Sequence, residues 1–372
     1  MSERGIQILS HLQGQRDRFL EVLKTLVEIE SPSGNAPALK EVMETIANLF
    51  STIGYESIFY PGSSSGGQVL IRPEQRANRS YQLLIGHCDT VWPIGTLEEM
   101  PFEVDGNEVK GPGCYDMKSG LCMIYFALKS LSELDLDPTL TPAVFINSDE
   151  EVGSIESEHR IRLLARKACR SYILEPALDR DGKIKTERKG VGHFEIRMKG
   201  RPAHSGLAPE EGASAILGLS QIIHKLYELN DPLKGITINV GTIEGGERSN
   251  VVAAKSKATV DVRVKNMDDA AYIEEAIYNL KSELEGVDLA IEGSVGRPPL
   301  VKNQRNEKLW HLARETGREL DLDLEEGLSG GASDGNITSQ YTATLDGLGA
   351  VGEGAHAYHE KIFLDETIER CA

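Results

Sequence analysis

Residues 81–90 read Tyr-Gln-Leu-Leu-Ile-Gly-His-Cys-Asp-Thr. The apolar run has the length of a buried strand, Gly86 closes it, and His87 and Asp89 follow at once. Sites in open α/β sheets form just past the carboxyl ends of strands, where this polar pair sits. In extended chain, residues two apart project to the same side. Asp89 is therefore expected to accept a hydrogen bond from the second ring nitrogen of a metal-ligating His87 and fix its tautomer.

Two further runs repeat the design. Pro142–Asn147 (PAVFIN) is followed by Glu150 and Glu151, and Ser171–Leu174 (SYIL) by Glu175. Helical stretches near 118–133 and 155–168 lie between the runs. Strand alternating with helix predicts an α/β fold whose sheet is mixed, largely parallel and flanked by helices. Upstream, residues 17–30 and 38–53 read as amphipathic helices, the second stopped by Gly54. Gly62–Gly67 (GSSSGG) reads as a flexible hairpin loop.

Residues 190–297 change rhythm to strand, helix, strand, strand, helix, strand. That order makes a small open sheet with two helices on one face, a ferredoxin-like α+β unit. The expected organisation is a catalytic domain over 1–189, an inserted domain over 190–297, and the rest of the catalytic domain over 298–372. A chain of 372 residues exceeds the usual reach of one core, in keeping with two domains.

The formal net charge is −18, which argues against nucleic acid and anionic membrane as partners. No 18-residue apolar run is present to span a bilayer. The N-terminus lacks an apolar leader, and the five cysteines show no paired spacing. Both features lead to the expectation of a cytoplasmic protein.

Four segments carry the chemistry: Gly86–Val91, Gly111–Lys118 (GPGCYDMK), Ser148–Glu151 and Leu174–Pro176. Their imidazole and carboxylate donors suit Zn²⁺, with Co²⁺ or Mn²⁺ possible. Cys88 and Cys114 read as small buried hydrophobes. Each segment alone is commonplace; an adjacent acidic pair is usually a solvated loop, and a single His after a strand is usually structural. The ordered set is specific.

These segments resemble the M20 metallopeptidases, in particular glutamate carboxypeptidases of the carboxypeptidase G2 type. The resemblance extends to Gly200–Gly206 (GRPAHSG), Ser249-Asn250, Asp261-Val262-Arg263, Gly330–Asn336 (GGASDGN) and Gly354-Ala355-His356. It implies a zinc-peptidase catalytic domain and an inserted lid and dimerisation domain. It also implies two Zn²⁺ per chain. Asp116 would bridge them, His87 and Glu175 would hold one, and Glu151 and His356 the other. Glu150 would be the general base, and a cis peptide would follow Asp116. His359, three residues after His356, competes with it as a ligand.

Two Zn²⁺, three carboxylates and one hydroxide sum to zero charge, which a partly buried site tolerates. Glu150 is then the surplus carboxylate. His204 would stabilise the oxyanion, from its own subunit or across a homodimer. Arg263, Asn250, Lys183 and Gly331 would bind substrate. Lys185 stands where the glutamate carboxypeptidases have a small polar residue.

The expected activity is hydrolysis of an amide bond in a small peptide or N-acyl amino acid with a free C-terminal carboxylate. The alternatives are an N-acyl-amino-acid deacylase or dipeptidase of the same family, a two-metal peptidase acting at N-termini, and a non-catalytic metal-binding homologue.

Overall fold

The strands that carry the acidic residues are apolar on both faces. Every residue of Thr141–Asn147 is buried; Ala143 and Phe145 join one core cluster, Val144 and Ile146 another. Tyr81–His87 divides in the same way, with Leu83 and Ile85 on one side and Leu84 on the other. Period-two alternation between two cores marks a sheet covered on both faces.

The structure, a computed structural model, describes residues 2–76 and 79–372. It divides into two units, one of residues 1–187, 302–329 and 333–372, the other of 188–301 and 330–332. The first part of the chain forms helices α1 (Glu3–Gln13), α2 (Arg16–Glu28) and α3 (Ala36–Ser51), then strands β1 (Tyr55–Tyr60), β2 (Gln68–Pro73), β3 (Tyr81–His87), β4 (Glu103–Asp105) and β5 (Glu108–Lys110). Helix α4 (Ser119–Glu133), β6 (Thr141–Asn147), α5 (Glu158–Ala165), β7 (Arg170–Ile173) and β8 (Ile184–Arg188) follow.

The second unit contains β9 (Gly190–Lys199), α6 (Ala215–Glu228), β10 (Thr237–Gly245), β11 (Lys255–Val264), α7 (Met267–Tyr278) and β12 (Asp288–Arg297). Its sheet order is β10-β11-β9-β12, antiparallel throughout. Phe194, Ile196 and Met198 on β9, and Ala258, Val260, Val262 and Val264 on β11, pack with α6 and α7 into one core. The alternate residues, among them His193, Asp261 and Arg263, lie on the opposite face of the sheet.

The chain returns to the first unit with α8 (Gln304–Glu319), β13 (Glu326–Ser329), α9 (Asp334–Thr338), β14 (Ala343–Leu345), β15 (Gly352–Glu353), β16 (Lys361–Phe363) and α10 (Leu364–Cys371). The central sheet runs β1-β2-β6-β3-β7-β14. Strands β6, β3, β7 and β14 are parallel, and β1 and β2 add an antiparallel edge. The fold is thus mixed α/β with a largely parallel sheet. Among the described residues no helix is long and apolar enough to cross a membrane.

Some elements differ from the sequence reading. The second helix of the 190–297 unit, which the sequence carries from about 269 to 285, stops at Tyr278, and Ser282 accepts the N–H of Leu284 beyond it. Ser in that role offers the backbone an alternative to helix. Helix α1 has no counterpart in the reading, whereas the 62–67 hairpin loop joins β1 to β2. The 62–67 loop is not slack either, because Ser63, Ser64 and Ser65 all donate backbone N–H groups to Glu156, at 2.9, 2.7 and 3.1 Å.

Candidate metal centre

Five segments of the first unit, those carrying His87, Asp116, Glu150 and Glu151, Glu175, and His356, come together at the carboxyl edge of its sheet. His87 closes β3 and is fully buried. Its Nδ1 lies 2.9 Å from the backbone carbonyl oxygen of Asp89 and 3.4 Å from that residue's Oδ1. The tautomer-fixing acceptor is therefore mainly the carbonyl. The Asp89 carboxylate is engaged elsewhere, accepting the N–H of Glu150 (3.2 Å) and Glu151 (3.1 Å) and the Ser33 hydroxyl (2.8 Å).

The far nitrogen of His87, Nε2, faces Asp116 Oδ1 at 3.2 Å and Glu175 Oε1 at 3.4 Å. The other oxygen of Asp116, Oδ2, lies 3.5 Å from His356 Nε2. That same nitrogen is 3.2 Å from Glu151 Oε2. Asp116 thus turns one oxygen to each imidazole. Donor atoms of His87, Asp116 and Glu151, and of His87, Glu150 and Glu175, converge within 4.8 Å. His356 and His359 are both exposed, but His356, held at φ 60°, points its ring at the carboxylates.

Local structure explains each placement. Asp116 sits in the turn Cys114–Lys118 ahead of α4, and the Asp116–Met117 peptide is cis. Glu175 follows β7 on backbone pressed between two glycines. A Cβ at Gly120 would meet Leu174 O at 2.1 Å, and one at Gly349 would meet the same atom at 2.2 Å. Any side chain there would push Glu175 from the centre. The 148–157 segment is anchored from several sides: Asp149 accepts the N–H of Glu156 and Ser157, and Asp334 accepts from Asn147 and from the Ser154 hydroxyl.

The electrostatics call for positive charge. Burial works against protonation of His87, but its bonds to Asp116, Asp89 and Glu175 prevail and raise its pKa well above the usual value. Asp116 and Glu151 push His356 up to about 10. Burial favours the neutral form of Asp116, yet the two imidazoles hold it below the usual carboxylate range. Burial raises Glu151, whose Oε1 is buried without a hydrogen-bond partner. Carboxylates facing imidazole nitrogens and an orphaned carboxylate oxygen fit divalent cations, which would take the place of protons. Cys88 and Cys114 are fully buried, and burial pushes both thiols up. They remain neutral hydrophobes.

One residue the sequence reading passed over is Glu360. It is 1% exposed and accepts four hydrogen bonds, three of them from the turn that carries Asp116. No motif marks it, because its partners lie 244 to 268 residues away in the chain.

The remaining candidates divide between the units. In the first, Lys183 pairs with Glu325 at 3.1 Å, while the buried Lys185 holds its ammonium 3.9 Å from Glu175 Oε2. The cation beside the centre is thus Lys185. In the second unit, His204 and Asn250 are neighbours: the residue after His204 donates its N–H to the Asn250 carbonyl, and His204 bridges to Val251. Arg263 lies on the helix-free face, and Asp261 takes its Nε and Nη2 at 2.8 and 2.9 Å. The Gly331 carbonyl accepts Arg188 Nε at 2.8 Å.

Comparison with known proteins agrees with this geometry. Residues 186–286 match the peptidase dimerisation domain of the M20 peptidases. Over 92% of its length the chain is 28% identical to carboxypeptidase G2 of Pseudomonas sp. (strain RS-16), covering 84% of that protein. It shares its fold with the aminopeptidase PepT of Bacillus cereus ATCC 10987, at 21% identity and a TM-score of 0.78, with 96% of each chain covered. An M20 family metallo-carboxypeptidase from Sulfolobus solfataricus matches at 18% identity and a TM-score of 0.72, covering 94% of this chain and 97% of that one. With an M20-type dimerisation domain and a cluster of side chains at the sheet edge that could hold a metal ion, the chain is similar to the M20 metallopeptidases, and the likeness marks it as a hydrolytic enzyme.

Proposed function

We propose that the protein is a two-metal carboxypeptidase. It hydrolyses the amide bond of a small peptide or N-acyl amino acid that ends in a free carboxylate. The observation that carries this reading is Asp116, whose two oxygens face His87 Nε2 and His356 Nε2. His87 and Glu175 would hold one ion, His356 and Glu151 the other, with Asp116 between them. Zn²⁺ suits these donors, and Co²⁺ or Mn²⁺ would be accepted. When bound, such a pair acidifies water and polarises the scissile carbonyl.

The chain's own groups do the rest. Glu150 takes the proton that water gives up on attack and hands it to the leaving nitrogen. Its backbone is fixed by the bond to Asp89. His204 donates a hydrogen bond to the oxyanion. Arg263 offers its free edge to the C-terminal carboxylate, and Asn250 and the Gly331 backbone complete the grip. Lys185, beside the centre, favours acidic side chains, while the ammonium of its neighbour Lys183 is taken by Glu325. The match to carboxypeptidase G2 over most of the chain supports this polarity. The dimerisation domain supports a homodimer, and in it His204 would serve its own or the partner's centre. Five free cysteines suit a cytoplasmic, reducing setting.

The fold likeness to an aminopeptidase favours a second reading, cleavage after a free N-terminal amine. Zn²⁺-loaded protein assayed on paired N-acyl dipeptides with free and amidated C-termini, and on the same peptides with a free amine, decides between them. The carboxypeptidase reading expects the free acid to be preferred, with Arg263→Ala lowering its kcat/KM about 100-fold, the equivalent of ~3 kcal/mol. Preference for the amidated partner, or for substrates with a free amine, sinks it.

A further inference from the structure

Both oxygens of the Glu360 carboxylate are doubly used. Oε1 accepts the backbone N–H of Tyr115 at 2.9 Å and of Asp116 at 3.0 Å. Oε2 accepts the N–H of Gly113 at 3.0 Å and the indole N–H of Trp92 at 2.7 Å. A carboxylate this buried is costly unless its acceptor sites are filled, and four donors fill them. All four are N–H groups, so the site calls for a group that only accepts. Glutamine is the wrong isostere here, because its amide would face two donors with a donor of its own.

Glu360 also belongs to the loop that presents His356. Its N–H bonds to Ala357 O at 2.8 Å, and a Cβ at Gly354 would strike its backbone at 2.9 Å. Trp92 packs at a tilt against Tyr358 of that loop, with ring centroids 5.4 Å apart. One short loop therefore meets Asp116 twice. His356 faces its side chain, and Glu360 grips its N–H.

We infer that Glu360 is a positioning residue that locks the turn carrying Asp116 to the loop carrying His356, and so fixes the spacing at which two metal ions are held. This rests on the reading of Asp116 as the bridge. Removing a group that orients a ligand typically weakens metal binding by about 10- to 100-fold. A residue serving stability alone would lower the melting temperature and leave the metal spectrum unchanged.

The test is calorimetric titration of metal-free protein with Co²⁺, followed also by visible absorption. Wild type is expected to take two equivalents. Folded Glu360→Gln, checked by far-ultraviolet circular dichroism, is expected to bind one equivalent at least about tenfold more weakly. Its Co²⁺ spectrum should be altered, and kcat should fall with KM nearly unchanged. Glu360→Asp, which still only accepts, should recover part of the affinity. Wild-type affinity and spectrum in folded Glu360→Gln overturn the inference. If that variant does not fold, Trp92→Phe removes a single donor. A smaller weakening of one equivalent is then expected, and wild-type binding overturns the inference. Wild type that takes one equivalent or none overturns the two-metal reading itself, a result distinct from the others.

Discussion

Glu151 Oε2 lies 3.2 Å from His356 Nε2, while the adjacent Glu150 and Glu151 both hang from the Asp89 carboxylate by their backbone N–H groups. One anchor therefore presents two carboxylates, to which the proposed function gives different tasks. Glu151→Gln should weaken one of two metals. Glu150→Gln should keep both and lose several orders of magnitude in kcat, since proton transfer alone is removed. Metal analysis beside turnover checks this, and equal metal loss in the two variants would reverse the assignment.

The two lysines near β8 should differ. Lys185 reaches toward Glu175, whereas the ammonium of Lys183 is taken by Glu325. Lys185→Met should lower the preference for C-terminal glutamate over alanine about tenfold, or ~1.4 kcal/mol. Lys183→Met should change it far less. Ratios of kcat/KM on the two substrates measure this, and a larger effect at Lys183 would refute it.

Glu156 gives a pH-dependent stability. Hydroxyls and N–H groups of Ser63–Ser65 hold its carboxyl below the usual carboxylate range. A depressed folded pKa stabilises above the unfolded value of about 4.3 and ceases to do so as pH falls through the folded value. Glu156→Gln should lower the melting temperature by a few degrees at neutral pH, with the difference from wild type shrinking in acid. Thermal scans of both proteins across this range would show it. A difference that grows as pH falls would contradict the sign.

If His204 serves the partner's centre, two inactive variants should rescue each other. Equal mixing of His204→Ala with Glu150→Gln gives heterodimers with one intact site each, and about a quarter of wild-type activity. Subunit exchange without recovery would place His204 at its own subunit's centre.

The strands ending at His87, Asn147 and Ile173 were legible because apolar runs of strand length stop where acids and imidazole begin. The second unit was legible from its strand and helix order. What escaped depends on contacts between distant parts of the chain. Gly120 and Gly349 look like ordinary glycines until Leu174 O is found against both. The Ser63–Ser65 loop reads as slack because Glu156, which holds it, lies about 90 residues on. Lys183 and Lys185 stand two residues apart where β8 begins, and their distant partners, Glu325 and Glu175, separate them. Asp89 was placed correctly beside His87, but the competing N–H groups of Glu150 and Glu151 were invisible to local spacing.

The hydrogen bond from Asp116 to Glu360 closes a loop of 244 residues. Closure over such a span costs entropy that local helices and hairpins do not meet, so contacts of this kind form late. During synthesis, His87, Asp116 and Glu175 leave the ribosome long before His356 and Glu360 exist. The growing chain can offer a divalent ion only part of a cage. On the proposed function, metal capture is then a closing event in the life of the molecule, and a cell short of the metal would accumulate chains whose sheets are built but whose last loop has nothing to seal.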